Sequence, residues 1–115
     1  MIDIFKDLNK VTIGRDVWAQ GSAPAVLPDA FYTVINDGSF DNLNADNKEI
    51  EVVWEWSVMF YTKDFSLLYS GIEEVKRLLK SKGYIVRGSG YDFNGKYDGW
   101  EARAIDVKKI EYMED

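Results

Sequence analysis

Carboxylates are where any chemistry would have to start in this chain. It holds 20 Asp and Glu against 14 Lys and Arg, with no histidine and no cysteine. Without histidine, the usual general base at neutral pH and the commonest metal ligand are missing. Without cysteine there is no thiolate nucleophile, no disulfide and no Cys-ligated metal. The acids gather in two places: Asp37, Asp41, Asp46 and Glu49 within NDGSFDNLNADNKE (36–49), and Asp92 and Asp98 within DFNGKYDG (92–99). A carboxyl pair ~5–10 Å apart across a cleft could hydrolyse a glycosidic bond. The spacing does not place such a pair. The 36–49 segment also lacks the Asp-x-Asp-x-Asp-Gly register, with Glu at the twelfth position, of a calcium loop. Solvated turn residues are the plainer reading, and no metal, cofactor or catalytic group is expected. GSGYDFNG (88–95) opens like a dinucleotide loop, but Phe93 stands where the third glycine belongs and no helix is signalled after it.

The aromatic residues point elsewhere. In IEVVWEWSVMFYT (50–62), Val52, Trp54, Trp56, Val58 and Phe60 share one face of a strand, while Val53, Glu55, Ser57, Met59 and Tyr61 share the other. The first is a core face. A stacking platform for sugars or bases needs exposed rings, and Trp54 and Trp56 sit among Val52, Val58 and Phe60. The second face begins charged and ends apolar. Its Glu55, Met59 and Tyr61 are expected to meet another strand or another subunit. Phe40 and Leu43 interrupt the polar 36–49 segment, either folding back on the core or reaching for a partner.

These residues need elements to position them. DFSLLYSGIEEVKRLLKSKG (64–83) is the clearest helix: Phe65, Leu68, Tyr69, Ile72, Val75 and Leu79 recur at helical spacing. Asp64 can cap it, with Ser70 and Glu73 as an alternative capping box, Lys76, Arg77, Lys80 and Lys82 suit its C-terminal half, and Gly83 can end it. The Trp54/Trp56 row is the face it should cover. A short helix or arm is expected over 2–9, then a short strand over 11–18 with Gly14 as a bulge or bend. A loop over 19–28 holds both prolines, and a strand over 29–36 precedes a long loop over 36–49. After the helix come a strand over 84–91, turns over 92–99 and a last strand over 100–113. There Trp100, Ala102 and Ala104 share one parity, Ile105 and Val107 the other, and Ile110 and Tyr112 return to the first, which predicts a bulge or twist near 106–108. Arg87 and Arg103, on the two final strands, could neighbour acids such as Glu101. The strand over 50–62 would run about 40 Å at ~3.3 Å per residue, about twice the usual length. Part of it should therefore project with its neighbour. The sum is one domain over 1–115 of α+β class. Its single, mainly antiparallel β-sheet has a long projecting hairpin, covered by one principal helix over about 64–82 and a short N-terminal helix.

Composition narrows the classes further. The chain of 115 residues is 46% hydrophobic and 15% aromatic, against disorder and in favour of one hydrophobic core. No apolar run nears the ~20 residues that cross a bilayer, and MIDIFKDLNK has no signal-peptide core, so synthesis in a cytoplasm and no membrane partner are expected. The net charge is −6. Nucleic-acid binding draws its affinity from Lys and Arg on phosphates, so DNA or RNA is not expected to be held; an acidic surface would let DNA slide past.

The order of segments resembles a known family. LPDAFYTVIND, an Asp/Asn-rich stretch, VVWEWSVMFYTKDFS, IEEVKRLLKSKGYIV and a Gly-rich turn leading into GWEARAIDVKKIEY follow one another over about residues 24–112. They resemble the small neck proteins of long-tailed phages and prophages of Gram-positive bacteria, the tail terminator, tail completion or minor capsid proteins. The likeness lies in order and spacing; such proteins start with a longer helix than the few residues before Lys10 allow. It implies a structural protein of the virion neck, assembled in the host bacterial cytoplasm. It implies a self-assembled ring, six-membered in such proteins, that caps the tail tube and offers a docking surface to the head–tail connector, with DNA passing through its lumen. Other readings from the residues are a connector stopper, or a small acidic binding module that mimics DNA or inhibits a basic protein.

Overall fold

The structure, a computed structural model, describes residues 2–43, 49–93 and 97–114, with only the backbone described at 41–43, 49–50 and 113–114. It is an α+β fold built on three strands of equal length: β2 (Ala30–Leu43), β3 (Glu49–Thr62) and β6 (Glu101–Glu114), each of 14 residues. β3 lies between the other two and runs antiparallel to both. Short strands flank this trio. β1 (Asp16–Ala19) pairs parallel with β2, and β4 (Ile85–Val86) and β5 (Tyr91–Phe93) pair with successive parts of β6. The sheet order is β1-β2-β3-β6-β4.

The principal helix follows its sequence pattern. A 3-10 turn over Phe65–Leu67 leads into α3 (Leu68–Ser81), and the Asp64 carboxylate accepts from the Ser66 N–H at its start. That carboxyl is held below its usual range by the Ser66 hydroxyl and N–H. Gly83, at φ 90°, turns the chain out of the helix. Ile72, Val75 and Leu79 are buried against Tyr32, Val34, Trp56, Val58, Phe60, Ile105 and Val107 of the sheet, and Leu68 is buried at the start of the helix. Gly71 is the point of closest approach. A Cβ there would overlap the Phe60 ring, and its carbonyl accepts from the Tyr32 hydroxyl at 2.7 Å. Burial raises the Tyr32 phenol to about 12. Arg15 closes the site from the side, paired with Glu74 at 2.6 Å and lying over the Phe60 ring.

The N-terminal helix is two single turns: α1 (Ile4–Asp7), capped by Asp3, and α2 (Lys10–Ile13), capped by Asn9. Ile4 and Leu8 are buried in the helix-side core, and the Tyr84 hydroxyl donates to Asp7 at 2.9 Å. The strand expected from residue 11 therefore begins only at Asp16. Asn9 and Thr12 satisfy each other's backbone in a capping box, which makes 10–13 helical, and Gly14 is the left-handed cap, a bend and not a bulge.

Two further corrections concern the long strands. Residues 36–43 are not loop: β2 continues to Leu43, paired with β3 throughout. The bulge expected at 106–108 lies instead in β2, between Asn36 and Gly38, whereas β6 keeps unbroken register with β3. Gly38 sits at φ 125°, a conformation that side chains resist, so the Asp-Gly pair there makes a bulge and not a hairpin end.

Length decides what the helix can cover. At 1.5 Å per residue α3 spans about 21 Å, while a strand of 14 residues spans about 46 Å. The molecule measures 53 × 27 × 25 Å, and the end of the sheet near Leu43 and Glu49 extends past the helix.

Candidate interaction surface

The sheet face away from α3 changes character along its length. At the base, Phe31, Met59, Tyr61, Ala102 and Ala104 form a second core under Trp18, Leu27, Phe93, Tyr97 and Trp100. Phe31 stacks on Tyr61 with centroids 5.1 Å apart and takes the edges of Tyr97 and Trp100. Met59 and Tyr61, expected to meet another strand or another subunit, present no open surface to a subunit. They are instead buried inside the chain, at 8% and 4% exposure. Their cover comes from the turn before β6 and from the segment between β1 and β2, both distant from them in sequence.

Midway, the face becomes polar. Ser57 lies between Ile35 and Asp106, and Glu55 between Gly38 and Lys108. The Ser57 hydroxyl is 2.6 Å from Asp37 Oδ2 and 3.0 Å from Asp106 Oδ1. One hydroxyl has one proton, so it donates to one carboxylate and leaves the other facing its lone pairs. Arg87 and Tyr91 border the same groove, an open space of about 640 Å³. The Tyr91 phenol is raised, first by burial and then by the carboxylates of Asp106 and Asp37.

Near the tip, apolar residues return. Val53 lies between Phe40 and Ile110, and Glu51 between Asn42 and Tyr112. Val53 is buried, while Phe40 and Tyr112 are exposed at 52% and 64%.

Asp37 and Glu55, two of the residues singled out from sequence, thus line one groove, with Phe40 one step further towards the tip. Asp106, Lys108 and Arg87 complete the groove and were missed as a group. The alternation of β6 could have placed Asp106 and Lys108 on this face, had a bulge not been expected between them. Asp41, Leu43 and Glu49 fall at strand positions where only the backbone is described, and Asp46 falls outside the described residues. Asp92 lies apart from Asp37. It pairs with Arg103 at 2.7 Å, and Arg103 also donates to the Ser89 and Gly90 carbonyls and covers the Tyr69 ring. Arg103 therefore ties the glycine-rich turn to the helix side and does not pair with Glu101. Trp56 is buried beside Tyr84 as expected, while Trp54 is half-buried and donates to Glu111 at 3.4 Å. Among the described residues no group of three or more acidic, His or Cys side chains could hold a metal ion, and no helix is long and apolar enough to cross a membrane.

What this face offers is an open strip with acidic and basic groups in the middle and aromatic side chains at the tip, on a rigid three-stranded support. Comparison with models of known protein families gives no match, and comparison with curated proteins gives none either.

Proposed function

We propose that this chain is a structural neck protein of a long-tailed phage, a tail terminator that assembles as a ring, caps the tail tube and offers a docking surface to the head–tail connector. The observation that carries this reading is the sheet that outruns its own core. Three strands of 14 residues project past the helix that covers their base, and the projecting part keeps polar and aromatic groups on an open face. Such a projection suits contact with a neighbouring subunit or a tube end. The stretch from Asn36 to Glu55 contributes six acids, Asp37, Asp41, Asp46, Glu49, Glu51 and Glu55, against Lys48 as its one base. Turned towards a lumen, that charge would repel phosphates and keep passing DNA from sticking.

Deleting the gene from a phage that carries it tests the reading. Filled heads and unjoined, overlong tails are expected, and normal infectious particles would overturn it. The same acidic stretch favours one second reading, a module that binds a basic protein in place of DNA. That reading requires a stable monomer and a tight complex weakened by salt. Recovery of only tail proteins with the tagged chain would exclude it.

A further inference from the structure

Among the described residues the projecting part of the sheet has two edges with no neighbouring strand. β1 pairs with β2 only from Phe31 to Val34, and the Gln20 N–H closes that pairing on the Val34 carbonyl. Among the described residues no strand lies outside β2 beyond this point. On the opposite side, β4 meets β6 only at Val107 and Lys108, and among the described residues no strand lies outside Lys109–Glu114. An open edge presents unpaired N–H and C=O groups and is a template for another strand.

The two edges are complementary in three respects. They run the same way, because β2 and β6 are both antiparallel to the β3 between them. They match in length, since regular register in β2 resumes at Gly38 after the bulge and runs to Leu43, against Lys109–Glu114 in β6. They differ in charge at the end nearer the base: β2 has Asp37 beside Gly38 and no Lys or Arg from Ala30 to Leu43, while the β6 edge opens with Lys108 and Lys109 ahead of its acids Glu111 and Glu114. Two β2 edges brought together would set acid against acid, and like charges across strands destabilise a sheet.

We propose that a second copy of this chain adds its β6 edge, Lys109–Glu114, as a parallel strand to the β2 edge, Gly38–Leu43, of the first. Each copy then has one edge of each kind on opposite sides of the same tip, so the contact repeats head to tail and forms a ring where the rotation closes. Phe40 and Tyr112, the exposed aromatic residues of the two edges, lie on the same sheet face and meet across the seam. The inference deepens the ring reading and rests on it for closure; the strand pairing itself involves no tail component.

The chain has no cysteine, so introduced thiols are unique. The full chain carrying both Phe40→Cys and Tyr112→Cys is treated with a short bis-maleimide at high protein concentration, beside each single variant and a Val26→Cys control at an exposed loop position. A ladder of covalent multimers from the double variant is expected, with only control-level dimers from either single variant. An equimolar mixture of the two single variants should give dimers and nothing larger. A double variant that gives no ladder, with a wild-type chain that sediments as a monomer at the same concentration, overturns the proposal. So does dimerisation of either single variant as efficient as in the mixture, which would mean symmetric pairing of like edges. Cap activity is read separately on tails, so a ladder without tube binding removes the phage reading and leaves the seam, and tube binding without a ladder does the reverse.

Discussion

The base and the tip of this sheet are made of the same three strands and behave as different materials. At the base both faces are covered, one by α3 and the other by the aromatic cluster around Phe31. Towards the tip the face away from α3 is open, with Asp37, Asp106 and Ser57 in contact and Phe40 and Tyr112 exposed. Strand pairing continues across both regions without a break in β3 or β6. The difference is therefore one of cover, supplied by segments that reach only the base. A base covered twice can be the folding core, and that frees the tip to carry residues chosen for contact.

The largest expected effect comes from breaking the base. Phe31 is fully buried and touches four aromatic rings, those of Trp18, Tyr61, Tyr97 and Trp100. Phe31→Ala should cost about 3–5 kcal/mol, the usual range for a large aromatic deleted from a core. Urea unfolding measures it. A loss near that of an exposed aromatic would mean that the second core is not a core.

The next effect is on the helix side and depends on pH. The Tyr32 phenol titrates at about 12 in the fold, against 10 in the unfolded chain. Between those values the unfolded chain has released the proton and the folded chain has not. Its contribution is therefore fully present below pH 10 and is lost as pH rises towards 12, by about 2–3 kcal/mol. Unfolding midpoints across that window should fall in the wild type and fall less in Tyr32→Phe. The variant itself starts lower, because it loses the bond to the Gly71 carbonyl.

Gly71→Ala sharpens the same point by packing alone. Alanine favours a helix over glycine by about 1 kcal/mol, but its Cβ would overlap the Phe60 ring. Overpacking of this kind typically costs about 1–3 kcal/mol, so a net loss of order 1 kcal/mol is expected in thermal unfolding. A gain would show that α3 can lift from the sheet.

How much of this the sequence disclosed follows the same division. The principal helix and the burial of Trp56, Val58 and Phe60 are periodic, local signals, and they read correctly, although the α-helix itself runs from Leu68 to Ser81 and Asp64 caps the 3-10 turn before it. The length of β3 was also plain, and with it the projection. What failed depended on contacts distant in sequence. Asn36–Leu43 has a turn-former's composition and is a strand because β3 pairs with it, with the strain taken up at Gly38. Met59 and Tyr61 looked unpartnered because their cover, Phe93, Tyr97, Trp100 and Leu27, carries no periodic pattern that points to them. Asp106 and Lys108 were lost to the face because a bulge placed in the wrong strand broke the parity that aligns them with Ser57 and Glu55.

The smallest effect on stability is the most telling about the tip. Phe40 is about half exposed and lies next to Val53 on an edge strand. Phe40→Ala should change the unfolding free energy of the monomer by no more than about 0.5 kcal/mol, the range for surface positions away from the core. If the tip exists for contact, the same substitution weakens association between copies by far more than it weakens the fold. Sedimentation and urea unfolding on one preparation separate the two quantities. Equal small effects on both would reduce the tip to an ordinary edge. A large loss of stability would mean that Phe40 belongs to the core and that the boundary between base and tip lies further along the strands.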